Sequence, residues 1–92
     1  MIVVGDKVRI KRPDVFDYNC PDWVEKNLLP VLGENQISQK APEKNSIGEV
    51  ICSGLNIIED KSILYYGILI KNLVYIMPYN GVMKFWNPRV FI

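Results

Sequence analysis

Two strongly apolar segments, residues 63–70 and 73–77, are separated only by Lys71 and Asn72. A two-residue connection is the spacing of a β-hairpin. Both segments are apolar on both of their expected faces, whereas a sheet with one wet side alternates apolar and polar residues. The chain must therefore fold so that something covers the outer face of this hairpin. We expect the insertion described below to do so; the polar loop within it and a partner chain are the other candidates.

Shorter segments predict the remaining strands. Residues 7–11 alternate strictly, with Val8 and Ile10 on one face, which is the period of a half-buried strand. A second strand is expected at residues 47–52, ended by Ser53-Gly54, and two short ones at residues 82–86 and 89–92. Five or six short strands without a long helix predict an all-β fold, a small barrel.

The first connection is long and different in composition. Residues 13–46 form a polar, acidic insertion with four prolines. Within it, Pro21 suits a first helical turn and Pro30 a helix end, which predicts a short helix near residues 22–29. Trp23, Val24 and Leu28 share one face of that helix. Residues 33–46 are polar throughout and predict a loop.

Length and composition limit the function classes. A chain of 92 residues is expected to form a single domain over residues 1–92. It has no histidine, which removes the commonest general base and metal ligand. Cys20 precedes a predicted helix, but no base accompanies it. The two cysteines, Cys20 and Cys52, lack the spacing of a zinc site. We therefore expect no enzyme, no catalytic residues, no metal and no cofactor.

The hydropathy pattern bears on localisation. The apolar run at residues 1–4 is too short for a signal peptide, and residues 63–77 fall short of the roughly 20 apolar residues of a membrane span. The expectation is a soluble cytoplasmic protein without a membrane partner. In that reducing compartment, free thiols are favoured over a disulfide.

An ordered set of short motifs resembles a known fold. Val4-Gly5-Asp6 opens the first strand, Gly48-x-Val50 the next, Tyr66-x-Ile68 lies in the central strand, and an aromatic-Pro-x-x-Val run spans residues 85–90. This order is similar to small SH3-like barrels of the KOW, Tudor and related phage or bacterial types. The segment Pro21-Asp22-Trp23-Val24 also resembles a feature in the first loop of some members. The resemblance implies an SH3-like barrel of five or six strands, whose first loop carries the short helix and whose last strand pairs with the first.

Charge is unevenly distributed although the net charge is only +1. Residues 13–60 carry nine acidic residues and three lysines, whereas residues 61–92 carry four basic residues and no acidic one. If the basic chain ends meet, they form a positive stripe that suits a nucleic-acid backbone. The candidate residues for this alternative are Lys7, Arg9, Lys11, Lys84 and Arg89. The competing interpretation is a solvated strand face whose lysines prevent edge pairing.

Aromatic side chains supply the candidate protein-binding residues: Trp23, Tyr65, Tyr75 and Tyr79. Tryptophan and tyrosine are enriched where proteins bind one another. Trp23 is either an anchor for a partner or, as we favour, a plug that holds the helix on the barrel. Tyr65 and Tyr66 point to opposite faces, so we expect only one of them to be interior.

These observations favour a non-enzymatic binding module, an adaptor or inhibitor that docks on another protein. Its small size and its content of asparagine and isoleucine suit a protein encoded by a phage or mobile element. A nucleic-acid-binding module that uses the basic strand face is the first alternative. The second alternative is a subunit of a homo-oligomer, such as a homodimer, that buries the apolar outer face.

Overall fold

Six strands form one continuous sheet in the computed structural model, which describes residues 1–85. The strands are β1 (Lys7–Ile10), β2 (Gln36–Ile37), β3 (Ile47–Ile58), β4 (Lys61–Ile70), β5 (Leu73–Pro78) and β6 (Val82–Lys84). Their order across the sheet is β2-β5-β4-β3-β1-β6. All pairings are antiparallel except that of β2 with β5. The all-β prediction is confirmed, and the sheet is not closed. The strand predicted at residues 89–92 and the candidate residue Arg89 lie outside the described residues.

Both faces of the β4–β5 hairpin are buried, as the apolar pattern requires. One face packs into a core shared with β1, β3 and β6; its buried residues are Val8, Ile10, Val50, Tyr66, Ile68, Met77 and Val82. The opposite face packs against the insertion in a second core of Cys20, Trp23, Leu28, Cys52, Tyr65, Val74 and Ile76. Tyr65 and Tyr66 are therefore both interior, and the expectation that only one would be buried is wrong. The insertion covers the outer face.

A bulge in β3 lets one strand serve both cores. Val50 lies opposite Ile68, but the next register pair is Cys52 with Gly67, so Ile51 is an extra residue. Such a residue bends the strand and increases its twist. Val50 thus enters the first core, whereas Ile51 and Cys52 both face the second.

The insertion helix is longer than its prolines predict. It runs over residues 21–32 as α1 (Pro21–Trp23), a π-turn (Val24–Leu28) and α2 (Leu29–Leu32), and so passes Pro30. In the π-turn the amide of Leu29 donates to the carbonyl of Val24. This wider turn relieves the clash between a proline ring and the carbonyl four residues earlier. Gly33, at a positive φ of 61°, follows the last turn.

The loop at residues 33–46 contains a strand that its polar composition conceals. The amide of Gln36 donates to the carbonyl of Asn72, and the amide of Ser38 donates to that of Val74. The short strand β2 thereby satisfies backbone groups on the edge of β5, which would otherwise lack partners. Ile37 joins the second core, and the Ser38 side chain is buried.

Beyond the sheet, β3 and β4 continue as a two-stranded ribbon, here called the arm (residues 53–64). The β1–β3 register ends at Glu49, and the β4–β5 register begins at Tyr65. Within the arm, β3 and β4 pair with each other to the tip, where Glu59 and Asp60 both have positive φ. A two-residue hairpin turn with positive φ at both central residues matches the twist of the strands that it joins. The prediction that Ser53-Gly54 would end the strand is wrong.

The role of the insertion helix in the second core can be tested by adjacent substitutions. Leu28 is fully buried, whereas Leu29 is 52% exposed. We expect Leu28→Ala to lower the free energy of unfolding by about 2–5 kcal/mol, because it opens a cavity in the second core. Leu29→Ala should change it by less than about 0.5 kcal/mol. Urea denaturation of both variants measures the difference, and equal effects would contradict this packing.

Candidate functional site

A surface groove lies between the insertion helix and the arm. It consists of two adjoining clefts of about 310 Å³ and about 240 Å³. Asp22, Asn56 and Ile57 line both clefts, which are therefore neighbours and are together called the arm groove here. The further lining residues are Asp17, Asn19, Cys20, Pro21, Trp23, Lys26, Asn27, Leu55 and Ile58.

Trp23 and Tyr65 join the insertion to the arm beneath this groove. Their ring centroids are 6.0 Å apart, and the indole N–H of Trp23 donates to the carbonyl oxygen of Gly54 at 2.9 Å. Gly54 is close to the helix, because a Cβ at this position would collide with the side chain of Asn27. The groove is therefore built on a rigid junction rather than on a free loop.

The carboxylate of Asp17 is held at one end of the groove. Its Oδ2 accepts a hydrogen bond from the Tyr65 hydroxyl at 3.0 Å, and its Oδ1 accepts one from the amide of Asn19 at 3.0 Å. Burial, together with the neighbouring Asp17 carboxylate, raises the pKa of Tyr65 to about 12. Asp17 is half-buried in this arrangement.

The arm presents two exposed apolar side chains beside the groove. Leu55 is 62% exposed and Ile57 is 73% exposed. Register places Leu55 opposite Leu64 and Ile57 opposite Ser62. Both therefore lie on the face of the arm opposite to Asn56, which is paired with Ile63 of the second core. Sequence reasoning missed these residues, although the alternation of Leu55, Asn56 and Ile57 was a signal for a continuing strand.

Two acidic side chains and one basic side chain line the groove. Asp17 and Asp22 are the acids, and Lys26 is the one cation among its described lining residues. Glu59 and Asp60 are exposed at the arm tip, next to Lys61. Two of the acidic residues of the insertion thus lie at its junction with the arm.

The four predicted protein-binding aromatics do not form one surface. Trp23 and Tyr65 are only 2% and 4% exposed, and they act as the plug that holds the helix on the sheet. Tyr75 is half-buried on the opposite face, with its ring edge-on to Phe16 at 6.4 Å. Phe16 also stacks on the exposed Tyr18 at 6.0 Å. Tyr79 is exposed in the 3-10 turn Tyr79–Gly81.

The predicted basic stripe is divided and partly neutralised. Lys7 pairs with Glu49 at 3.4 Å, and a guanidinium nitrogen of Arg9 lies 2.9 Å from the Met83 sulfur. Lys11 is exposed at the end of β1.

Lys84 does not contribute to the predicted basic stripe. Register places Lys84 opposite Val8, so it lies on the other face of the sheet from Lys7 and Arg9. Its ammonium group is 3.5 Å from a carboxylate oxygen of Asp6. The side chains of β6 alternate between the two faces of the sheet, as those of β1 do. Only the register between the two strands shows on which face each residue of β6 lies.

The thiols and carboxylates offer little reactive chemistry. Cys20 and Cys52 are free and buried. Burial raises the pKa of Cys52, and burial together with Asp17 raises the pKa of Cys20 to about 11, so both thiols stay protonated at neutral pH. Among residues 1–85, no group of three or more Cys, Asp and Glu side chains has the arrangement of a metal site.

Comparison of the chain with protein-family models, curated proteins and solved structures found no match. In the described part of the chain, none of the helices has the length and apolar character needed to cross a bilayer. The functional argument therefore rests on the arm groove itself.

The contact between Tyr65 and Asp17 predicts a loss of stability at alkaline pH. The folded protein retains the Tyr65 phenol proton above pH 10, where the unfolded chain loses it. The contribution of this group is fully present below about pH 10 and falls as the pH rises towards about 12. We expect Tyr65→Phe to flatten this part of the unfolding free energy curve, measured by urea denaturation at each pH.

Other groups with raised pKa values, Cys20, Cys52 and Tyr66, also lower the free energy of unfolding at alkaline pH. Cys52 and Tyr66 are the same in every variant, so their contributions cancel in the comparison. Cys20 has a raised pKa of its own and contributes from about pH 9 to 11, so the comparison uses a Cys20→Ala background. Tyr79→Phe is the matched control, because Tyr79 is 56% exposed. If the free energy of unfolding falls equally steeply at alkaline pH with and without the Tyr65 hydroxyl, Tyr65 is not the group responsible.

The ion pairs of β1 and β6 also predict weak binding to nucleic acid. We expect random-sequence DNA and RNA to show no binding that weakens steeply between about 50 and 200 mM salt, because phosphate contacts would have to displace Glu49 and Asp6. A fluorescence titration measures this. Steep salt dependence that disappears when Lys7, Arg9 and Lys11 are all changed to alanine would support the basic face instead.

Proposed function

We propose that this protein is a non-enzymatic docking module, an adaptor or inhibitor that binds another protein through the arm groove. The observation that carries the proposal is the exposure of Leu55 and Ile57 on a ribbon that projects past the sheet, directly beside two clefts. Adjacent exposed apolar side chains with a polar surround are characteristic of binding surfaces.

The construction of the arm supports this proposal. The arm is a strand pair without further strand neighbours among residues 1–85, so its backbone edges are open. Open edges favour association with other chains. The junction of Trp23, Tyr65 and Gly54 holds the arm in place, which lowers the entropic cost of binding.

We also propose that the sheet is a variant of the SH3-like barrel. Support comes from the order β6-β1-β3-β4-β5, in which a long first connection follows β1 and the last described strand returns to it. A 3-10 turn at Tyr79–Gly81 precedes that strand.

The two alternatives receive less support from the described residues. The nucleic-acid alternative loses Lys84 to the other face of the sheet, and Lys7 is paired with Glu49. The homo-oligomer alternative was founded on an uncovered outer face of the β4–β5 hairpin, and the insertion covers that face. The arm groove favours docking of a different protein.

Affinity capture with paired variants tests the docking proposal. The whole chain is immobilised and exposed to lysate of its source cell, and the retained protein is then purified for titration. We expect a double variant with Leu55→Ser and Ile57→Ser to weaken binding by at least about tenfold, because apolar contact area at the centre of an interface is lost.

The insertion helix provides the matched control. Leu29 and Val31 are 52% and 50% exposed but do not line the arm groove, so Leu29→Ser with Val31→Ser removes similar apolar surface elsewhere. Circular dichroism confirms that each variant is folded. A partner that both double variants bind as well as the wild type does would refute docking at the arm.

A further inference from the structure

We propose, building on the docking function, that the arm groove binds an extended segment that alternates basic and apolar side chains and adds as a strand to the edge of β3. The contact region is residues 55–58. Strand addition of this kind draws affinity from backbone hydrogen bonds and specificity from alternate side chains.

The direction of the backbone groups supports strand addition. Ile58 and Lys61 flank the two-residue turn of the arm and form a hydrogen-bonded pair, so the backbone groups of Ile58 are directed towards β4. Backbone groups of alternate residues in a strand point the same way. Those of Asn56 and Ile58 therefore face β4, whereas those of Leu55 and Ile57 are directed outward, on the edge of β3 that β1 leaves uncovered.

Charge around the groove selects the side chains on one face of the added strand. Asp17 and Asp22 lie on the helix side, as does Asn56. Because Asp17 is held by Tyr65 and Asn19, its carboxylate needs no reorganisation to receive a cation. Side chains on this face of the ligand are expected to be lysine or arginine.

The other face of the added strand would meet Leu55 and Ile57. Side chains that are opposite each other in paired strands lie on the same face and contact one another. Apolar residues in the ligand would therefore cover the two exposed side chains. Opposite requirements on the two faces produce an alternating pattern, which distinguishes this ligand from a helix or a uniformly basic tail.

Fluorescence anisotropy with synthetic peptides tests the proposal on the full chain. The probe is a nine-residue peptide of alternating valine and lysine. One comparison peptide alternates valine and glutamate. The other, the block peptide, has the same composition as the probe, but its valines and its lysines stand in separate blocks. We expect binding of the alternating valine–lysine peptide, at least tenfold weaker binding of the block peptide, and none of the valine–glutamate peptide.

Two protein variants separate local from general electrostatics. Asp22→Asn removes a groove carboxylate and should weaken binding about fivefold. Glu25→Gln removes an equal charge from the exposed helix surface outside the groove lining and should leave it unchanged. Equal effects of both, or equal binding of the lysine and glutamate peptides, would overturn the proposal.

N-methylated peptides test the backbone contacts. Methyl groups on one alternating set of amides should abolish binding and on the other set should not, because only one set faces β3. Equal tolerance of both sets would refute strand addition. Sedimentation velocity supplies the remaining outcome: a dimer that is lost when Leu55 and Ile57 become serine would assign the edge to a second copy.

The outcomes distinguish this inference from the docking function on which it rests. If the captured partner depends on Leu55 and Ile57 but no alternating peptide binds, docking stands and strand addition fails. If neither the captured partner nor the peptide depends on Leu55 and Ile57 for binding, both the docking function and strand addition fail.

Discussion

Trp23 occupies the junction between the insertion and the sheet. Its ring packs on Tyr65, and its indole N–H satisfies the carbonyl of Gly54. This contact seals the second face of the sheet, which the apolar β4–β5 hairpin requires. It also braces the arm, because Gly54 is paired with Tyr65, the residue at which the pairing of β4 with β5 ends. A buried hydrogen bond at a place of close packing resists separation, since breaking it would strand a polar group.

The arm groove is a consequence of the same junction. The helix lies against the face of the arm that carries Asn56, whereas Leu55 and Ile57 are exposed on the other face. Packing that is needed for folding thus places an open strand edge next to a rigid acidic wall. Binding at such an edge requires little ordering of the protein, because the surrounding contacts already hold it.

Charge is organised by tertiary contacts rather than by position in the chain. The basic residues of β1 and β6 meet Glu49 and Asp6, so the ends of the chain are partly neutralised. Two acids of the insertion, Asp17 and Asp22, lie at the arm groove, where Lys26 is the one described cation in the lining. A protein with almost no net charge can therefore present a locally acidic site, because screening confines such interactions to short range.

Hydrophobic patterning by itself determined the all-β class, the β4–β5 hairpin and the strand β1, because burial periodicity is a local property. It favoured the insertion as the cover of the outer face and Trp23 as a plug, but the tertiary structure decided both. The extent of the arm, the burial of both Tyr65 and Tyr66, and the orientation of Lys84 were decided only by tertiary structure. Each depends on register or on what covers a face, and contacts between distant segments set both. The arm groove lies between two such segments, which is why no single stretch of sequence reveals it.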